Sequence, residues 1–109
     1  MGIKQKQVQP LGTKYYIEDN NVEVARVYLY ILNNDLHNQP FALLEDLYVE
    51  PSYRKKGYGG RLVKKVIDEA RKMNCYKLIC TSRHRNVNVH RLYKKLGFYE
   101  QGLEFRIDL

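Results

Sequence analysis

The sequence predicts an α/β (α+β) domain, a mixed sheet carrying two main helices, and three observations lead there. Residues 41–73 read as a strand, a basic glycine-rich loop and a long amphipathic helix. Residues 23–32 read as a strand that is apolar or aromatic on both faces, the pattern of a sheet covered on both sides. A short apolar strand over 76–81 follows the helix, and strand, helix, strand in that order implies a parallel pair joined by a right-handed crossover. A chain of 109 residues without repeat, low-complexity tract or linker makes residues 1–109 a single domain with a modest core.

After a polar start, Lys14 to Glu18 is a short β-like run, and Asn20-Asn21 is a hairpin signal because asparagine tolerates the left-handed backbone such turns need. In the strand from Glu23 to Leu32, Ala25, Val27, Leu29 and Ile31 share one face, and Val24, Arg26, Tyr28 and Tyr30 the other. Clustered Asn, Asp and Pro make 33–40 a loop, and Phe41 to Val49 is the next strand. The helix after the glycine loop is set by Leu62, Val63, Val66, Ile67, Ala70 and Met73 at helical spacing, with Lys64, Lys65, Asp68, Glu69, Arg71 and Lys72 opposite. Asn74 ends it. A second helix over about 88–96 follows from Val89, Leu92, Tyr93 and Leu96, with Gly97 just past its end and Asn88 as a cap. Phe98 to Leu109 reads as a final strand or strand pair broken near Gly102.

The net charge of +7 suits an anionic ligand and suits nucleic acid equally well. Cys75 and Cys80 are the only cysteines and no apolar stretch is long enough to span a bilayer, so a reduced, soluble, cytoplasmic protein without membrane association is expected. His37, His84 and His90 lack zinc-ligand spacing, and neither HExxH nor a CxxC pair occurs, so no metal site is expected. Cys80 alternates into an apolar strand and reads as core rather than nucleophile.

The chemistry concentrates in the loop. Gly57, Gly59 and Gly60 open the backbone at a helix start, where unpaired N–H groups and the helix dipole favour an anion. Arg54, Lys55 and Lys56 stand ahead of them, Tyr58 between them and Arg61 after them. There is no G-x-x-x-x-G-K-[ST], which excludes a P-loop, and Leu62 stands where a dinucleotide fingerprint needs its third glycine. Lys56-Gly57-Tyr58-Gly59 matches the start of an RNA-recognition signature, but Gly60-Arg61-Leu62-Val63 lacks the stacking aromatics, so an RNA-binding module is disfavoured.

What does match is R-x-x-G-x-G from Arg54 to Gly59, which resembles the acyl-CoA loop of the GNAT superfamily of N-acetyltransferases. Asn86, Tyr93 and Gly97-Phe98 resemble the Asn, Tyr and Gly-Phe around that family's last helix. Leu44-Glu45-Asp46 is similar to the strand of its diamine acetyltransferases, and His84-Arg85 with His90-Arg91-Leu92-Tyr93 to a branch acting on small amines and aminophosphonates. The resemblance spans roughly residues 23 to 109 and implies transfer of an acetyl group from acetyl-CoA to a primary amine. It implies Glu45 as base and Tyr93 as acid toward the leaving thiolate. It places the pantetheine on the backbone of Leu47, Tyr48 and Val49, and the pyrophosphate on the loop from Arg54 through Lys55, Lys56, Gly57, Tyr58 and Gly59 to Gly60, with Asn86 and Tyr93 also touching the cofactor. Family members usually begin with a strand and two helices that wall the acceptor side. Residues 1–22 cannot hold such a hairpin, so the N-terminal helices are expected to be missing. A homodimer is expected to bury apolar surface left on the 23–32 strand and to complete the acceptor site. The rival within this resemblance is a module that binds coenzyme A, or only a partner, without catalysis.

Overall fold

A computed structural model describes residues 1–109. Four strands form one sheet in the order β1 (Leu11–Asp19), β2 (Val22–Leu32), β3 (Phe41–Val49), β4 (Leu78–Ile79). The first three run antiparallel and β4 joins β3 in parallel, so the sheet is mixed as expected. Helix α1 (Tyr58–Lys72) makes the crossover between β3 and β4, and α2 (Val87–Lys95) follows β4.

Asn20 and Asn21, with φ of 50° and 65°, make the β1–β2 turn, the backbone a two-residue hairpin matched to strand twist requires. The same pairing extends β1 beyond the expected 14–18, because β2 offers partners as far as Ile31 opposite Leu11. In β2 the face of Ala25, Val27, Leu29 and Ile31 is buried against α1, whose Leu62, Val63, Val66 and Ala70 point into it. Two expectations are corrected here. The apolar face of 23–32 is covered within the chain, so it is not the free surface that was to drive a dimer. The sheet is also covered by a helix on one side only. On its other side Arg26, Tyr28 and Tyr30 stay half-buried. They shelter one another: Tyr28 and Tyr30 stack with ring centroids 6.4 Å apart, Lys14 lies over Tyr16 and Tyr28, and Arg26 lies 4.9 Å from the Tyr48 ring. Amphipathic rings and long cationic stems tolerate that half-wet position, so the pattern on that strand did not require a second helical layer.

Met73 falls outside the core, at 44% exposure, because α1 ends at Lys72 and Asn74 turns the chain with φ of 61°. The bonds Asn74 N–H to Arg71 O and Cys75 N–H to Ala70 O close that end. At α2 the same device uses Gly97 at φ 106°, with Gly97 N–H donating to Lys94 O and Phe98 N–H to Tyr93 O. Since the left-handed backbone costs an L residue roughly 1–2 kcal/mol, Gly97→Ala is expected to lower unfolding free energy by about 1 kcal/mol, read as a reduced urea midpoint at unchanged slope. Asn86 rather than Asn88 stands at the N-cap position of α2, without a side-chain capping bond, and the helix begins one residue earlier than the spacing suggested.

Two further differences concern pairing. The expected strand over 76–81 shrinks to Leu78–Ile79, since β3 bends away beyond Leu43 and leaves nothing to pair with. The expected final strand over 98–109 is not formed: those residues carry no helix or strand, and none beyond Phe98 makes a backbone hydrogen bond. Alternation is present there, but a strand needs a neighbour. Residues 1–10 are likewise without regular structure, and the first α-helix is α1.

Candidate active site

The feature that makes a site is a bulge in β3. Asp46 takes φ of 52°, and the β2–β3 register shifts between Arg26 and Tyr28. An extra residue switches which side chains face the core: Leu44 before it, and Leu47 and Val49 after it, pack toward α1. Glu45 and Tyr48, opposite Tyr28 and Arg26, face the open side. The bend also parts β3 from β4, whose pairing stops at Leu43 with Ile79, so a cleft opens between the ends of the two parallel strands. Glu50 donates its N–H to Val24 O. By the alternation of an antiparallel strand, Tyr48 then turns its N–H into the sheet and Val49 turns its own to the cleft. Of the three amides expected to serve a ligand, that of Tyr48 is therefore taken up by the sheet.

The glycine loop closes the wide end of this cleft. After a single 3₁₀ turn at Pro51–Tyr53, Lys55 and Gly57 both take left-handed backbone, with φ of 62° and 86°. The first bond of α1 is Arg61 N–H to Gly57 O at 3.1 Å, and the N–H groups from Lys55 to Gly60 donate to nothing in the chain. Successive free donors at a helix start fit an anion such as a pyrophosphate. Arg54, expected to face an anion, is engaged within the chain: its Nε donates to Val49 O at 2.8 Å and its guanidinium lies 5.6 Å from the Tyr48 ring, which ties the loop to the end of β3. Against the loop, Gly57, Gly60, Arg61, Lys64, Leu92, Lys95 and Leu96 line a cavity of about 230 Å³. Lys64 and Lys95 add positive charge there that no local motif signalled, because they reach it from two different helices.

At the narrow end stands Tyr93 of α2, buried at 9% exposure with its ring 5.2 Å from that of Phe98. Burial holds its phenol well above the ordinary range, and the neighbouring Cys80 adds to the rise, so the hydroxyl keeps its proton. Cys80 is also raised by burial, to about 11 despite the opposing influence of Tyr93, so it is a poor nucleophile. Glu45 is raised first by burial, then by the carboxylates of Asp46 and Glu104. Its charge in turn raises both Tyr93 and Cys80, which places the three in one electrostatic neighbourhood. Asn86, expected beside the cofactor, sits exposed at the start of α2 and holds His90 N–H on its carbonyl.

The chain can thus offer a proton acceptor and a proton donor beside a cleft edged by strand backbone, with a phosphate-sized run of amides at the other end. Sequence reasoning named Glu45, Tyr93 and the loop. It missed the Cys80 contact and the basic cavity, which arise only when α2 docks.

Comparison with known proteins identifies the family. Residues 4–98 match the family model described as acetyltransferase (GNAT) family. The chain is similar to a glucosamine 6-phosphate N-acetyltransferase of Trypanosoma brucei brucei, 36% identical over 66 residues that cover 61% of this chain and 43% of that protein. It is also similar to an aminoglycoside N(6')-acetyltransferase type 1 of Serratia marcescens, 33% identical over 78 residues, 72% of this chain and 52% of the other. Among solved structures, a Trypanosoma brucei acetyltransferase superposes with a TM-score of 0.78 at 27% identity, over 92% of this chain and 69% of that one. The chain spans about half the length of the curated relatives it matches.

Proposed function

Because the chain belongs to the GNAT acetyltransferase family, we propose that it transfers the acetyl group of acetyl-CoA to a primary amine, in the cleft between β3 and β4. The observation that carries this reading is the run of unpaired amides from Lys55 to Gly60 at one end of the cleft with the Glu45–Tyr93 neighbourhood at the other. The loop holds the pyrophosphate on its backbone, and Arg61, Lys64 and Lys95 supply further charge. Acetyl-CoA supplies an acetyl thioester, whose carbonyl is open to attack by an amine. Glu45 accepts the amine proton, directly or through water, since a model amine with pKa about 10.4 is protonated near neutral pH. Tyr93 holds a proton on its phenol for the departing thiolate. The relatives named for aminoglycoside and glucosamine 6-phosphate acetylation support an amine on a small polar molecule as acceptor. Two free cysteines support a reduced, cytoplasmic setting, and no helix is long and apolar enough to cross a membrane. Pairing of two copies is part of this reading.

A panel of amines with acetyl-CoA, followed by release of free thiol, tests the proposal. Turnover with an amine supports it; acetyl-CoA binding without turnover on any amine favours a silent binding module. The base assignment has its own test. Glu45→Gln is expected to lower kcat/KM most at low pH, where free amine is scarce, with partial rescue as pH rises. Folding raises the carboxyl of Glu45. The stability from its protonated form is therefore present below the ordinary carboxylate range and lost as pH climbs through the raised value. Glu45→Gln removes that loss, so Tm at pH 7 should hold or rise while activity falls. A variant that loses activity and stability together would mark Glu45 as structural.

A further inference from the structure

We propose that Lys14 is a self-acetylation site, its side-chain nitrogen receiving the acetyl group within the same molecule, across Tyr28 from Glu45. The inference rests on the acetyl transfer proposed above and names an acceptor inside the chain.

The strand register puts three residues in one row across the sheet. Lys14 of β1 lies opposite Tyr28 of β2, and Tyr28 lies opposite Glu45 of β3. Opposed residues of antiparallel strands share a face. This row is on the side that no helix covers, since Tyr15 and Val27 beside it pack toward α1. Neighbouring strands lie about 4.8 Å apart, so the backbones of Lys14 and Glu45 stand about 10 Å apart. The flexible four-carbon stem of the lysine and the glutamate side chain together span that gap. Lys14 is also the only lysine in the four strands.

The side chain between them is a ring on which the ammonium already rests. The Lys14 Nζ lies 5.9 Å from the Tyr28 centroid and 5.3 Å from that of Tyr16. A ring face attracts a cation without a directional bond, so Tyr28 lets the ammonium slide toward β3. At rest Lys14 donates to Glu23, which also lies 3.9 Å from Arg26. That bond raises Lys14 above its ordinary value, with desolvation and the nearby Arg26 opposing. The pair is partly exposed, and exposed pairs add little to stability, so Lys14 leaves it readily. In the transfer the lysine nitrogen bonds to the acetyl carbon and the carbon–sulfur bond breaks. Of the two protons the ammonium gives up, one ends on the thiol of coenzyme A and the other passes through Glu45 to solvent. The product carries no charge, and Glu23 is left with Arg26.

Incubation of the full chain with acetyl-CoA, followed by site-resolved mass spectrometry, should find an acetyl group on Lys14 well ahead of the exposed Lys55 and Lys56. The rate per molecule should not change on dilution. Glu45→Gln is expected to slow the labelling about 10²–10⁴-fold, as for loss of a general base. Below the raised value of Lys14 the rate should climb about tenfold per pH unit, and Glu23→Gln should speed it at fixed pH. Lys14→Arg keeps the cation and should lose the modification while still acetylating a free amine. Carbodiimide coupling without any cofactor reads the reach itself: a Lys14–Glu45 amide should form and should increase in Glu23→Gln. Its absence from Glu23→Gln overturns the proposal. So does acetyl spread evenly over surface lysines, which is uncatalysed chemistry, or a rate that falls on dilution, which is transfer between copies. If Lys14 stays unmodified while a free amine turns over, the inference falls and acetyl transfer stands; if neither reacts, both fall.

Discussion

Tyr93→Phe is expected to lower kcat by about 10²–10⁴-fold, the usual contribution of a positioned general acid, while acetyl-CoA affinity stays near that of the parent. The substitution keeps the ring that packs on Phe98 and removes only the hydroxyl. Because burial and Cys80 hold the phenol above its ordinary range, the proposed activity of the parent should show no loss from Tyr93 ionisation up to at least about pH 10. A purely structural tyrosine predicts the reverse. Tyr93→Phe would then be active, and Tyr93→Ala would only cost stability, about 3–5 kcal/mol for an emptied aromatic site. Stopped assays of kcat, with titration of acetyl-CoA binding and urea unfolding of both variants, separate these outcomes. Near-full turnover in Tyr93→Phe would remove the general-acid role while leaving the loop assignment standing.

Gly59→Asp is expected to weaken acetyl-CoA binding ~100-fold or more without unfolding the protein, since a carboxylate close to a bound phosphate is repelled by several kcal/mol at an effective dielectric near 20. The separation of the two effects follows from the local geometry. A Cβ on Gly59 would meet Leu92 at 3.7 Å and Val49 at 3.8 Å, ordinary contact that the fold accepts. An acidic side chain in the first turn of α1 interacts favourably with the helix dipole, so stability should hold or improve. Gly59→Ala should lose less affinity, as it adds bulk without charge. Isothermal titration with acetyl-CoA, read beside thermal unfolding, checks both parts. Parent-like affinity in Gly59→Asp would dissociate this loop from the phosphates. Affinity in the parent should fall with added salt, because the loop cations are exposed.

Local signals were legible wherever backbone chemistry decided the outcome. Asn20-Asn21, Asn74 and Gly97 mark turns that only residues tolerant of positive φ make cheaply, and each lies where the structure turns. The periodicity of Leu62, Val63, Val66 and Ala70 defined α1 and its buried face. The glycine loop was legible for the same reason, as a helix start must leave amides unpaired whatever surrounds it. Glu45 and Tyr93 were found through the family's spacing.

By itself, then, the sequence determined the order of elements as far as α2, the core face of β2 and the place of the loop, all of which depend on neighbours along the chain. Tertiary structure decided the rest. The bulge at Asp46, which reverses the facing of Leu47 to Val49 and opens the cleft, depends on the register between β2 and β3. The nearness of Tyr93 to Cys80 depends on where α2 lies relative to the residues that follow β4. Leu103 to Leu109 shows the difference most plainly: alternation specifies a strand's two faces, but its hydrogen bonds come from another segment, and this fold provides none within the chain.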